Sequence, residues 1–522
     1  MSTKVSQSPQ RDRPAPSWQA SDSGPSVVRS DDPMWARVFG LIGAGLIILG
    51  GLPLVLSASG RATPVPPGFA ILLLSAGVIC LLFHAALDWD VQFRRIYMVF
   101  GFVVFALGVL FAVVPYPSHM GDQFLKGFIC FVLALLFLLA FLRNEEDPWM
   151  RNVAQLFLGG AGVVMAIVGL FGGNIKGEFL MPYGALLGLL GLAYITAFIA
   201  GHGVSDDLGY RTGLALGGVG LLVFLVALGR SALPPLFHRW GWLSAPPPEY
   251  LVPSGLILMF LGALCFLASL GLCSDNRLVV LTRRELGSQF CSPIAYIVLF
   301  AYVIAHWLAY WLFLGNLIVE NISVPEPMVK GFLLQWMAVL FTIILAPVLS
   351  MRLVSEEKRT GTLEVLLTAP VDEGVVVLSK FLATWIMFLF VWIPFILFLV
   401  ALRVDGGQPF DYRPLFSFFV GLAITGAGFV GMGMFLSSLT RNQIVSGVLS
   451  LVGMLILTAT YFLQRLLQGT VWVNVAQHMS YIDVWFDTLD GKLVPVRLLF
   501  FGSMAIFGLF LSVKVLEARK WA

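Results

Sequence analysis

The chain has 522 residues, 58% of them hydrophobic and only 12% charged, with a mean hydropathy of +0.90. An average globular domain is about a quarter charged, so this chain has too little polar surface to coat a soluble body, and its net charge of +3 is too small to imply nucleic-acid binding. Apolar runs of roughly 20 residues cross a bilayer as helices, whereas barrel strands are about half that length and alternate. The fold class is therefore an all-α polytopic membrane protein.

The first 33 residues are rich in Ser, Pro, Asp and Arg, as in SQSPQRDRPAPS, and cannot bury enough surface to fold. They predict a disordered cytoplasmic tail over residues 1–35. Because this tail precedes the first apolar run, the first span is expected to remain as an anchor rather than be cleaved as a signal peptide.

An N-terminal membrane domain of about eight helices follows over residues 36–275, with spans near 37–57, 68–87, 96–115, 127–142, 153–173, 179–200, 212–229 and 250–273. The stretch SDNRLVVLTRRELGSQF, residues 274–290, is too polar to span and is patterned like a helix lying in the interface plane. It marks a seam. Six further spans over residues 276–522 fall near 293–316, 331–352, 378–402, 415–438, 443–463 and 496–515, giving about 14 in all. With the N-terminus inside, 21 Lys and Arg residues fall on the inner side and 11 on the outer, so the positive-inside rule places both termini in the cytoplasm.

Cys80, Cys130, Cys265, Cys273 and Cys291 lie in or beside apolar runs without metal-ligand spacing, and read as small core hydrophobes. Ala423, Ala427 and Gly431 recur at four-residue spacing and would let helices approach closely, as ordinary packing rather than a pore or a dimer seam. The span interiors are expected to hold no Asp, Glu, Lys or Arg. His84 and His306 are read as helix-to-helix hydrogen-bond partners rather than proton relays. Ion-coupled transport needs charge at membrane depth, so energy should enter from outside the bilayer.

No GxxxxGK[ST] phosphate cradle is present; the nearest fragment, Gly491-Lys492-Leu493, lacks the upstream glycine and the hydroxyl residue. Nor is there an HExxH or GxSxG stretch. Catalysis by this chain alone, and any cofactor bound by it, are not expected. The informative segment is residues 349–384, between the tenth and eleventh spans. It runs from Glu356, Glu357, Lys358 and Arg359 through Gly361 to the apolar face of Leu363, Leu366 and Leu367, and on to Pro370. A short amphipathic helix from Glu356 to Leu367, or a solvated loop, would satisfy this composition.

Ser355-Glu356-Glu357-Lys358-Arg359-Thr360-Gly361-Thr362-Leu363-Glu364, followed by Leu366-Leu367-Thr368-Ala369-Pro370-Val371, resembles the signature of type-2 ABC exporter permeases, most of all the gliding-motility-associated branch. Arg283-Arg284-Glu285-Leu286 with Phe290 and Ser292-Pro293-Ile294-Ala295-Tyr296 is similar to that branch's interfacial helix. The terminal Leu516-Glu517-Ala518-Arg519-Lys520-Trp521 is similar to its C-terminal cap. The resemblance covers residues 276–522. The segment Gln477 to Val496 follows the family's pattern only loosely, and the eight N-terminal spans have no counterpart in a six-span permease.

The resemblance implies an ABC exporter-type permease domain of about six helices in the bacterial inner membrane, paired with a second copy or a related permease. An ABC ATPase would be a separate polypeptide holding the ATP and Mg. An auxiliary extracytoplasmic protein often accompanies the branch. The coupling surface would comprise Glu356, Glu357, Lys358, Arg359, Gly361, Thr362, Glu364 and Leu366, since a transient interface needs charge at its rim and an apolar anchor within. The interfacial helix, with Arg283, Arg284, Glu285 and Phe290, would form the other wall and hold anionic membrane lipid. A secondary transporter, a polytopic membrane enzyme or a scaffold would be the alternatives.

Overall fold

The computed structural model describes residues 34–58, 66–87, 90–113, 120–172, 183–202, 207–242, 255–290, 292–319, 328–333, 337–361, 372–395, 398, 413–466 and 471–520. These residues form helices joined by short turns, with no strand among them. The reason is solvent: without water in the hydrocarbon, each backbone amide must be satisfied within its own segment. Among the described residues, thirteen helices are long and apolar enough to cross a membrane. The expected sixth span is the shorter apolar helix Ala185–Gly201, and residues 173–182 before it lie outside the described residues.

The chain divides into two compact units: Met1–Val103 with Leu136–Arg151, and Val104–Leu135 with Asn152–Ala522. The seam expected at residue 276 is thus internal to the larger unit. The described part of the smaller unit contains α1 (Met34–Ala58), α2 (Pro67–Leu87) and portions of α3 (Val91–Val113) and α4 (Met120–Asn144). Its core gathers Ala85, Tyr97 and Phe137. His84 on α2 meets the Tyr97 hydroxyl on α3 at 2.7 Å, the helix-to-helix role expected of it.

The larger unit continues through α5 (Pro148–Phe171), α6 (Ala185–His202), α7 (Asp207–Arg239) and α8 (Gly255–Cys273). After α8 comes α9 (Arg277–Phe290), the amphipathic helix expected at the seam. The permease-like portion comprises α10 (Pro293–Val319), α11 (Met328–Leu333), α12 (Met337–Ser350), the six-residue α13 (Ser355–Thr360), α14 (Glu373–Val391), α15 (Arg413–Leu439) and α16 (Gln443–Leu466). Two short helices, α17 (Val471–Met479) and α18 (Tyr481–Leu489), precede the last span, α19 (Pro495–Lys520).

The main core lies among these later helices and includes Trp392, Phe395, Phe418, Phe429, Tyr481 and Trp485, all essentially inaccessible. Close helix approach supports it. A Cβ added at Gly431 would lie 2.8 Å from Ala505 Cα on α19, so this member of the small-residue series serves contact between α15 and α19 of the same chain. Among the described residues His306, by contrast with His84, bonds only the Tyr302 carbonyl of its own helix, at 3.0 Å, and sits among aromatic rings.

Candidate functional site

Helix α9 packs against α14, fixed by Phe290 edge-on to Phe390 at 4.9 Å and by Gln289 Nε2 donating to Thr384 Oγ1 at 2.7 Å. This packing brings Glu285 to Lys380, whose Nζ donates to Glu285 Oε2 at 3.0 Å. The same ammonium lies 2.6 Å from Glu357 Oε1 on α13. One lysine side chain, 6% exposed, thus joins three helices through carboxylates that are 16% and 20% exposed. Such a group is costly to bury alone and is tolerated because both carboxylates come to it.

Lys380 stands near the start of the span expected from residue 378. It lies two turns inside α14, a helix apolar enough to span. Reading along that span could not reveal its partners, because they arrive from α9 and α13, roughly 95 and 23 positions away in sequence.

Helix α13 is pinned from a second side by the end of α15. The Ser437 hydroxyl accepts hydrogen bonds from the backbone amides of Val354 at 3.2 Å and Ser355 at 3.1 Å, and donates to the Met351 carbonyl at 3.2 Å. All three valences of one hydroxyl are used. Lys358 Nζ donates to the Ser438 carbonyl and is buried. Arg352 connects α12 to both neighbours: it donates to Glu356 Oε2 at 3.2 Å and to Ser292 Oγ at 3.2 Å.

The expected coupling residues therefore separate into two sets. Glu357 and Lys358 point inward and hold α13 to the spans, while Arg359 and Gly361 are exposed and Glu356 is partly so. The helix is also shorter than expected. Gly361 adopts φ 75°, a left-handed conformation that glycine takes without steric cost, and it caps the helix at Thr360. Thr362, Glu364 and Leu366, with the rest of residues 362–371, lie outside the described residues. On α9, Arg283 and Arg284 are exposed; Arg283 donates to the Leu272 carbonyl at 2.8 Å, and Glu285 and Phe290 face the bundle. Sequence reasoning missed Lys380, Thr384, Gln289 and the Ser437-Ser438 pair. The one available signal was a lone lysine within an apolar run.

A cavity of about 340 Å³ opens between α9 and α13. Its lining is polar at Glu285, Ser288, Gln289, Ser292, Arg352, Glu356, Glu357, Thr360 and Lys380 and apolar at Ala295, Val348, Leu349, Leu353 and Met387.

At the far end of α15 the segment before the last span folds back as α17 and α18. Trp485 is fully buried and donates from Nε1 to Thr425 Oγ1 at 3.0 Å. Ion pairs ring it: Asp487 with Arg497, and Lys330 with Asp490 at 2.8 Å. Burial raises the Asp487 carboxyl above its ordinary value, outweighing the pull of Arg497.

These features define a multi-pass helical membrane protein whose later spans share a short charged helix at one end. Residues 313–489 match the family model described as ABC-2 family transporter protein. The match takes in about a third of the chain, including Glu357 and Lys380 but not Glu285, and supports a membrane permease. No curated protein and no solved structure matches the chain.

Proposed function

We propose that this chain is the permease subunit of an ATP-driven exporter, coupled to a separate ATPase through α13. The observation that carries the reading is Lys380, shared by Glu285 of α9 and Glu357 of α13. A short charged helix tied by buried contacts to α9, α14 and α15 can deliver a push on its exposed face to several spans at once. In this reading the partner meets Glu356, Arg359 and Gly361, and the contact continues through Thr362, Glu364 and Leu366. ATP and Mg belong to that partner.

The likeness of the Ser355–Val371 stretch and of the Arg283-Arg284-Glu285-Leu286 helix extends the proposal to the gliding-motility-associated branch. It also extends it to export as the direction, to pairing with a second copy or a related permease, and to an auxiliary extracytoplasmic protein. The excess of basic residues on one side supports a bacterial inner-membrane location with both termini cytoplasmic. The exposed Arg283 and Arg284 would then meet anionic lipid of the inner leaflet.

The test is purification of the full chain from its native membrane, with mass spectrometry for a co-eluting polypeptide carrying a Walker motif. The R359E variant alters only an exposed side chain, so it should leave insertion and melting unchanged and reduce recovery of the ATPase by at least about tenfold, equivalent to about 1.4 kcal/mol. Undiminished recovery would remove α13 as the docking element.

A further inference from the structure

The cavity beside Lys380 has more recognition chemistry than the ion triad uses. Its described lining carries three carboxylates, Glu285, Glu356 and Glu357, and two cations, Arg352 and Lys380, with Arg284 4.0 Å from Glu285 as a third, so the charges balance. Two acceptors belonging to lining residues, Gln289 Oε1 and Glu357 Oε2, are buried and have no hydrogen-bond partner among the described residues. Buried acceptors of this kind are ordinarily satisfied, and both call for an N–H or O–H donor.

The polarity of the walls is also ordered along the spans. Lys380 and its carboxylates lie near the beginning of α14, whereas Met387 lies two turns further into the same helix and Leu349 lies within the apolar helix α12. A ligand suited to this site has a cationic donor and an anion close together, with an apolar body on the membrane side. We propose that the cavity binds a phospholipid with a primary-amine headgroup, of the phosphatidylethanolamine class. Its ammonium serves Glu357 and Gln289, its phosphate faces Arg352, and its glycerol and first methylenes lie toward Leu349 and Met387.

A choline headgroup carries the same charge but no N–H, so it leaves both acceptors unmet. A lysine from a docked protein brings the ammonium without a phosphate for Arg352. The proposal does not depend on the ATPase reading, because it concerns the free chain.

The full chain, purified in detergent, is melted by tryptophan fluorescence against dioctanoyl phosphatidylethanolamine and dioctanoyl phosphatidylcholine. The ethanolamine lipid should half-saturate its stabilising effect at a concentration roughly tenfold lower, the worth of about one charged hydrogen bond. Leu349→Trp, which fills the cavity, and Gln289→Leu, which removes an acceptor, should each abolish that difference; if one variant does not fold, the other decides. Equal responses to the two lipids, or a preference that survives in the folded variants, would overturn the proposal. Carbodiimide treatment of native membranes separates the sources of the amine: a lipid amide on the Glu357 peptide supports the proposal, and a cross-link from Glu357 to a protein lysine overturns it.

Discussion

The two ends of α15 are closed in different ways. Near Ser437 the closure is made of charge and hydroxyl groups contributed by α9, α12, α13 and α14. Near Gly421, about 24 Å away at 1.5 Å per residue, it is an apolar wedge: Trp485 and Tyr481 are buried to completion and Thr488 packs against Gly421. An apolar wedge stabilises in proportion to the surface it hides and is indifferent to small shifts of angle. An ion triad contributes less net stability but holds only in one arrangement of its helices. The first closure is a joint, and the second is a wedge.

The comparison is broken most forcefully at the wedge. Trp485→Ala removes a fully buried indole and its bond to Thr425, and should cost about 3–5 kcal/mol, read as the shift in a reversible denaturation curve in mixed micelles. Lys380→Met should cost about 3 kcal/mol, because it leaves Glu285 and Glu357 without the cation they share. Adding Glu285→Gln and Glu357→Gln to that variant should restore most of the loss. If the triple variant is as unstable as the single one, packing rather than charge governs the joint.

A smaller effect is expected at Ser437→Ala. Two backbone amides at the start of α13 lose their acceptor, costing about 1–2 kcal/mol, and hydrogen exchange at Val354 and Ser355 should accelerate while α18 is unaffected. The smallest effect concerns pH. Because the folded state raises the Asp487 carboxyl, it binds that proton more tightly than the unfolded chain does. The resulting stability is complete below the ordinary value of 3.8 and is lost as pH rises through the raised folded value. Melts followed by tryptophan fluorescence should show this slope, and Asp487→Asn should flatten it.

Much of the fold was legible because hydropathy is a local property. Span positions, the amphipathic helix at 277–290 and the charged turn after residue 354 each follow from their own residues. What was not legible depends on partners distant in the chain. Lys380 looks like an isolated anomaly until α9 and α13 deliver Glu285 and Glu357. Glu357 and Lys358 look like surface charges until Lys380 and Ser438 turn them inward. Gly361 was visible as a glycine, yet its place inside an amphipathic pattern concealed the left-handed turn that ends α13 at Thr360. Trp485 belongs to the segment Gln477 to Val496, which follows the family's pattern only loosely, and its residue type alone does not distinguish an exposed ring from one inserted into the core.

The three hydrogen bonds of Ser437 set a mechanical limit on the joint. Sliding α13 past α15 by an ångström or so would strip two amides of their only hydroxyl acceptor, at a position buried from solvent, and no partial displacement keeps both. The contact is stiff under shear, while rotation of the two helices together leaves it intact. Under the docking at α13 proposed above, a force applied at Arg359 would be passed into α15 as a turn of the whole helix rather than absorbed as slippage.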